Sequence, residues 1–495
     1  MSDSFNLDDV LLRFSKQGDT WTIRDAVRGT QIFGGIGSGK SSGSGKTIAK
    51  SFLKKGFGGL VLCAKPDEKA NWIRLCQETG RTDDVLVFEE DGGFQFNPLQ
   101  YELNRDGRGG GEVFNLSNLF MEIYKMGSRL SGAGGSDKDR YWDNALKRSL
   151  NRMILLLKLS GHDLSIENMV AIMSSIPTED VANELGDYND EDWTKLYQNS
   201  FCIECILDAG GKLAEMRSDL DNSEYLNESN ALLDEVESFE HAYNSVYRYF
   251  LVEFAKADEK TRSIVAESFL GLAEPFTMGV LKKHFASGVN LLPEATHEGK
   301  IIILNFPVKE YLDAGVYAQG IYKYIWQQST ERRQVEGSSI PCFLWVDEAQ
   351  LFLSDYDQIF QTTARSSRAC TVFISQNISN YYVAIGGSNP KAKADSLLGN
   401  LGTKIFHANN DSVTNNWAAE VIGKAFKKIE SFSIGTNENI SLGQQYHWQV
   451  EPREFTTLKS GGTENDFRVE GIVTVAGRMW SNGKNYMKRP FNQRS

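Results

Sequence analysis

Lysine and serine at positions 40 and 41 close the run Gly34-Gly35-Ile36-Gly37-Ser38-Gly39-Lys40-Ser41, in which two glycines stand five apart. This is the phosphate-binding loop pattern, and it lies between a strand-like run and a helix-like one, as such a loop requires. Glycines let successive backbone N–H groups curl around phosphate oxygens, and the following helix N-terminus adds positive potential. Gly34, Gly35, Ile36, Gly37, Ser38, Gly39, Lys40, Ser41 and Ser42 therefore form the candidate nucleotide cradle. Lys40 is expected to reach the β- and γ-phosphates and Ser41 to ligate Mg²⁺. Ser44-Gly45-Lys46-Thr47 repeats the ending of the motif, but Lys40 stands five residues before Gly45. The full spacing fails there, so Lys46 is read as a decoy.

Hydrolysis of a nucleotide needs carboxylates as well. Phe343-Leu344-Trp345-Val346-Asp347-Glu348 is an apolar run ending in two acids. Asp347, at the end of a buried strand, would help hold Mg²⁺ through water, and Glu348 would orient and polarise the attacking water. Taken alone, such a pair could also be a helix cap. Gln376 ends the next strand-like run and would lie beside the γ-phosphate, or merely cap its strand. Arg365 and Arg368 precede that run. Phosphoryl transfer commonly draws an arginine from a neighbouring subunit to stabilise charge in the transition state, and both are candidates for that role or plain surface residues.

Other chemistry is poorly represented. Cys202-Ile203-Glu204-Cys205 is a lone pair with no second pair, and a structural zinc site needs four ligands. The six histidines show no metal-protease spacing, and no Gly-x-Ser-x-Gly elbow occurs.

The elements that must position these residues can be read from periodicity. Thr30–Phe33, Leu60–Cys63, Val85–Phe88, Lys300–Leu304, Cys342–Val346, Thr371–Ser375 and Lys404–Phe406 read as strands, several of them continuous apolar runs suited to a sheet buried on both faces. Helical patterns alternate with them, which argues an α/β fold with a mainly parallel sheet. Two glycine-rich stretches, 104–112 and 127–137, read as loops. From about Val113 to Ser287 nearly everything has helical periodicity, with Trp142, Leu146, Leu150, Met153 and Leu157 as one apolar stripe. The tail from Tyr446 to Trp480 alternates like β structure.

With 495 residues, 41% hydrophobic and 24% charged, the chain is long enough for about three domains of ordinary globular composition. Collagen-like, mainly disordered and disulfide-miniprotein classes are excluded. No apolar run approaches the roughly 18 residues of a spanning helix. An acidic N-terminus without a basic stretch argues against a leader, and six cysteines point to free thiols in a reducing cytosol. The net charge is −12, yet residues 175–260 hold 21 acids against 6 bases. The remainder is slightly basic, a balance that suits a chain gripping nucleic acid locally while showing an acidic face elsewhere.

The order of these pieces resembles the TraG/TraD-type coupling ATPases of type IV secretion and conjugation, in the HerA–FtsK group of motor ATPases. The resemblance is carried by GGIGSGKSSGSG, by LVLCAKPDE at 60–68, by Asn97-Pro98-Leu99 and by Arg140-Tyr141-Trp142. Further on it rests on LWVDEAQ at 344–350, Ser367-Arg368 to Gln376, LLGNLGTKIFHANND at 397–411 and EFTTLKSGG at 454–462. It implies a RecA-like P-loop domain split by an inserted all-α domain. The expected boundaries are 1–105 with 288–435 for the ATPase domain, 113–287 for the insert, and 436–495 for a β-rich segment completing the ATPase domain. It also implies ATP and Mg²⁺ as ligands, a hexameric ring, ATP hydrolysis at subunit interfaces, DNA threaded through the pore, and a protein partner docking on the acidic all-α domain. Membrane members of the family carry N-terminal transmembrane helices. This chain begins about thirty residues before its loop, so a cytoplasmic form is expected, without an intrinsic anchor or peripheral to the inner membrane through a partner. The alternatives are a HerA-like motor feeding DNA to a nuclease or effector, in phage defence or DNA processing, and an ATP-switched adaptor for protein substrates.

Overall fold

The computed structural model describes all residues except 1–4, 131–136, 179–199, 222–225, 434–438 and 495. Its first unit comprises residues 1–92 and 293–495, and its second comprises residues 93–292.

The first unit is built on a sheet of nine strands among the described residues, in the order β13-β12-β9-β3-β8-β7-β4-β6-β5. The strands are β3 (Thr30–Phe33), β4 (Gly58–Leu62), β5 (Val85–Glu89), β6 (Ile301–Asn305), β7 (Cys342–Val346), β8 (Ala369–Ser375), β9 (Thr403–Phe406), β12 (Arg468–Val475) and β13 (Tyr486–Asn492). From β5 to β9 every pairing is parallel, and β12 and β13 add two antiparallel strands at one edge. The seven strands of the parallel part are those read from the sequence. The continuous apolar runs of β4 and β7 follow from burial on both faces, and β3, β8 and β9, which carry polar residues as well, likewise have no residue open to solvent. Two short hairpins stand outside this sheet: β1 (Val10–Arg13) with β2 (Thr20–Thr22), and β10 (Lys424–Ser433) with β11 (Asn439–Trp448).

One face of the sheet is packed by aromatic rings. Phe52 stacks on Trp21, Phe57 and Phe343 at 5.2–5.9 Å, and Trp72 lies 5.5 Å from Phe343 and 5.2 Å from Trp345. Rings of this size fit because β4 yields space: a Cβ on Gly59 would lie 2.3 Å from the Phe343 ring. The stack seats the helices Lys46–Lys54 and Asp67–Glu78 on the sheet and so holds the segments that lead into them.

The second unit is helical among its described residues. The helix Asp137–Ser160 buries Leu146, Leu150, Met153 and Leu157 of the stripe read from periodicity, beside the helices Val113–Leu130 and Phe201–Asp221, while Trp142 is half-buried. The glycine-rich stretch 127–137, read as a loop, begins inside a helix, which continues through Gly127 to Leu130, and its residues 131–136 lie outside the described ones. A single glycine costs only about 1 kcal/mol in a helix, and the buried Ile123 and Met126 just before it hold that turn in place. Cys202 and Cys205 are buried, and burial pushes the Cys205 thiol up to about 12, so neither favours the thiolate that a metal needs. Among the described residues no single helix is long and apolar enough to cross a membrane.

Candidate functional site

Four neighbouring strands, β3, β8, β7 and β4, end side by side. The register pairs Phe33 with Ser375, Val346 with Phe373 and Leu62 with Val346. The residues that follow these strands therefore emerge along one carboxyl edge, where open α/β sheets bind ligands. Behind β3 comes the loop, behind β7 Asp347 and Glu348, behind β8 Gln376, and behind β4 the segment holding Lys65 and Glu68.

The loop is tightly constrained. Gly37 and Gly39 have φ of +71° and +78°, which glycine adopts without strain. A Cβ on Gly39 would come within 2.4 Å of the Val469 side chain, and one on Gly43 within 3.1 Å of it. The turn after Lys40 is a π-turn, Ser41–Gly45, and the α-helix begins only at Lys46. His407, at the end of β9, is buried and reaches this turn. Its Nδ1 lies 2.8 Å from the Glu470 carbonyl and its Nε2 2.7 Å from Ser44 Oγ. Burial pulls its pKa down to about 4, so the ring is neutral; Nδ1–H donates to the carbonyl and Nε2 accepts from the serine. Gln493 holds the other side: its Nε2 donates to Ser42 Oγ at 2.7 Å, and its carbonyl accepts from Lys46 Nζ at 3.2 Å. Lys46 is thus engaged with the chain's own carbonyl. Lys40 is buried, and among the described residues its ammonium has no hydrogen-bonding partner.

Lys40, Ser41, Ser42 and Asp347 line one cavity of about 420 Å³ together with Gly37, Ser38 and Gly39. Ser41 Oγ donates to Asp347 Oδ2 at 2.6 Å, and Asp347 Oδ1 accepts from the Glu348 backbone N–H at 2.9 Å. Glu68 lines the same cavity. Its Oε2 accepts from the Ala64 N–H at 2.7 Å, while its Oε1 is buried with no hydrogen-bond partner. Burial, then the charge of Asp347, pushes its carboxyl up to about 8. A hydroxyl, the Asp347 carboxylate and an orphaned carboxyl oxygen around one cavity are hard oxygen donors, the set that suits Mg²⁺.

Glu348 is held in an unusual backbone conformation, φ +50° and ψ +50°. Its Oε1 accepts from Lys65 Nζ at 2.7 Å, its Oε2 from Gln350 Nε2 at 2.9 Å, and Gln376 Nε2 lies 3.4 Å away. Gln350 is in turn fixed by Ser375 Oγ at 2.7 Å, and Asn409 Nδ2 donates to the Gln376 carbonyl at 2.8 Å. Burial alone would raise the Glu348 carboxyl. The hydrogen bonds from Lys65 and Gln350 and the charges of Lys65 and Lys40 more than offset it, so the group sits below the usual carboxylate range and is ionised at neutral pH.

Arg365 and Arg368 are apart from this constellation. They precede the seven-residue β8, whereas Gln376 follows it, a separation of about 20 Å along the strand. Arg365 is exposed. Arg368 is anchored locally, its Nη1 donating to the Gly337 and Ser339 carbonyls at 3.1 and 2.9 Å.

Lys65, Glu68, His407 and Gln493 had no assigned role in the sequence reading. Lys65 and Glu68 could have been suspected, being charged residues directly behind an all-apolar strand. His407 and Gln493 carry no local signal, since each acts through a strand pairing.

Residues 341–457 match the sequence model of a family described as the TraM recognition site of TraD and TraG. Over nearly its whole length the chain shares a fold with solved coupling proteins. The bacterial conjugative coupling protein TrwBdeltaN70, unbound, has a TM-score of 0.57 at 13% identity, over 98% of this chain and 90% of that one. The plasmid coupling protein TrwB with the non-hydrolysable ATP analogue ADPNP gives 0.57 at 13% identity, over 95% and 88%. TrwB with ADP and Mg²⁺ gives 0.55 at 13% identity, over 98% and 90%. No curated protein matches the chain in sequence. The resemblance to the TraG/TraD-type coupling ATPases is borne out, in sequence over 341–457 and in fold over nearly all of the chain.

Proposed function

We propose that this protein is an ATP-hydrolysing DNA translocase of the coupling-ATPase type, serving a conjugation or type IV secretion-like system as a hexamer. The observation that carries the reading is the joint placement of Lys40, Ser41 and Asp347 on one cavity with the ionised Glu348 beside it. It is supported by the family match over 341–457 and by the shared fold with proteins solved with an ATP analogue and with ADP and Mg²⁺.

In this reading the loop N–H groups and the unpartnered Lys40 ammonium bind the phosphates of ATP. Ser41 and Asp347 would hold Mg²⁺, which neutralises charge on the phosphate oxygens when bound. Glu348, kept ionised by its neighbours, accepts a proton from the attacking water, and Gln376 orients the same water or the γ-phosphate. Arg365, exposed and at the far end of β8, acts on a neighbouring subunit's site; Arg368, tied to its own loop, is the weaker candidate. DNA passes through the ring. A basic partner protein docks on the acidic helical unit, where Asp234 and Glu235 are exposed on the helix Leu226–Arg248. The acidic cluster Asp190-Glu191-Asp192 lies outside the described residues.

The deciding experiment measures ATP turnover with and without single- and double-stranded DNA, on a sample whose oligomeric state is determined in parallel. DNA-stimulated turnover confined to an oligomer is the expected result. Turnover indifferent to both forms of DNA would overturn the translocase reading and favour the protein-adaptor alternative.

A further inference from the structure

The β10–β11 hairpin takes no part in the nine-stranded sheet, yet its exposed face is not the polar surface that an isolated ribbon needs for solubility. In its register Lys424 faces Trp448 and Phe426 faces Tyr446, so these four side chains share one face of the ribbon. Phe426 is 71% exposed and Tyr446 59%, with ring centroids 5.2 Å apart. Lys424 Nζ lies 4.3 Å from the centre of the Trp448 ring. At the hairpin's base Tyr486 Oη donates to the Gln449 carbonyl at 3.2 Å, and Lys484 Nζ lies 5.1 Å from the Tyr486 ring. Two ammonium groups thus stand beside aromatic rings, one on this face and one at the hairpin's base. Among the described residues neither Lys424 nor Lys484 has a carboxylate in ion-pair distance.

We infer that this face is a binding site for a single strand of nucleic acid, with Phe426 and Tyr446 as the platform for bases and Lys424 and Lys484 facing the phosphates. Every base has a π-face, so exposed rings hold bases without regard to sequence, while unpaired lysines complement a polyanion. A duplex hides those faces in its own stack and offers the rings nothing to cover. The inference rests on the DNA-transport reading above and adds to it the strand form recognised and the element that recognises it.

The test uses the full chain and a fluorescein-labelled oligothymidylate of about 20 nucleotides, enough to fill a site of roughly 4–16 nucleotides. A duplex of equal length serves as comparison. The double substitution Phe426→Ala/Tyr446→Ala should weaken oligothymidylate binding by about 5- to 100-fold. Affinity for a fluorescent ADP should stay unchanged, which also reports a folded loop. Tyr446→Phe, which keeps the ring, should bind as the parent does. Lys424→Ala should lower the slope of log affinity against log salt by about 0.7, the share of one phosphate on a single strand. If the double variant binds oligothymidylate as tightly as the parent, the hairpin is not the site and its face belongs to a protein partner, while the DNA reading stands. If duplex binding falls as much as single-strand binding, base stacking is not the mode and the inference is lost. If the parent binds neither form, the DNA-transport reading fails, and this inference with it.

Discussion

Replacing Lys65 by alanine tests the electrostatics around Glu348. The two groups are 2.7 Å apart, with side chains 31% and 9% exposed. Two unit charges about 4 Å apart attract by roughly 4 kcal/mol at an effective dielectric near 20. Water reaching the lysine screens that value toward the 0.2–1 kcal/mol, roughly, of exposed pairs, which leaves about 1–3 kcal/mol for this one. At 1.36 kcal/mol per tenfold change, the loss amounts to about one to two pH units in the ionisation of Glu348. The sign follows from the burial that remains. With Lys65 present the carboxyl is held down; without it, burial pushes the group up, and the base form is lost at a higher pH. The acid limb of the ATP turnover profile should therefore move upward by about one to two pH units in Lys65→Ala. In Lys65→Arg, which keeps the charge, it should hardly move. Glu348→Gln should bind nucleotide yet turn over very slowly at every pH. Glu68 also feels Lys65 and titrates higher, so the comparison is repeated in a Glu68→Gln background. An acid limb that stays in place in Lys65→Ala, or a shift that vanishes in that background, refutes the assignment of Lys65 as the group that keeps Glu348 ionised.

The remaining expectations concern the loop, the ring and the core. Lys40→Ala should abolish binding of a fluorescent ATP analogue, whereas Lys46→Ala should weaken it only modestly, because Lys46 already serves the Gln493 carbonyl; the reverse order would displace the loop assignment. Mixing an Arg365→Ala chain with a Lys40→Ala chain should restore part of the ATPase activity at mixed interfaces, and full activity of a dilute Arg365→Ala monomer would remove the arginine from the mechanism. Lys323 and Asp357 form an ion pair 1% and 0% exposed at 2.7 Å, joined by Gln327 and the Phe352 carbonyl. Lys323→Met should lower the stability of the first unit by about 3–5 kcal/mol in chemical denaturation, since it leaves a buried carboxylate unpaired. His407→Ala should weaken nucleotide affinity more than His407→Gln does, as the longer amide reaches the Nε2 position and can still accept from Ser44; equal losses in isothermal titration would make the ring a space-filler only.

What could be read from the chain was whatever lay within a few residues of itself. The most legible of the seven parallel strands are runs such as Ile301–Leu304 or Phe343–Val346, which burial on both faces makes uniformly apolar. The loop and the Asp347–Glu348 pair are equally local. The partners of these residues are not. Lys65 meets Glu348 only because β4 lies beside β7, and no periodicity in either segment encodes that adjacency. The π-turn at Ser41–Gly45 was hidden for a similar reason: Ser-Ser-Gly-Ser-Gly has the composition of a flexible start to a helix, and the contact that shapes it comes from His407 on another strand. The extension of the helix to Leu130 escaped because glycine spacing alone speaks for a loop, while the apolar residues that overrule it belong to the turn before.

Gly39 and Gly43 are bare toward Val469, a residue of the antiparallel strand β12 far downstream. The phosphate loop and that strand are therefore one inherited unit. Enlarging residue 469 would press on a backbone shaped to meet phosphates, and placing a side chain at 39 or 43 would press on the strand. Among descendants of this chain, drift at position 469 should be confined to side chains no bulkier than valine. A protein engineer who exchanged the C-terminal strands between relatives would have to carry the loop along with them.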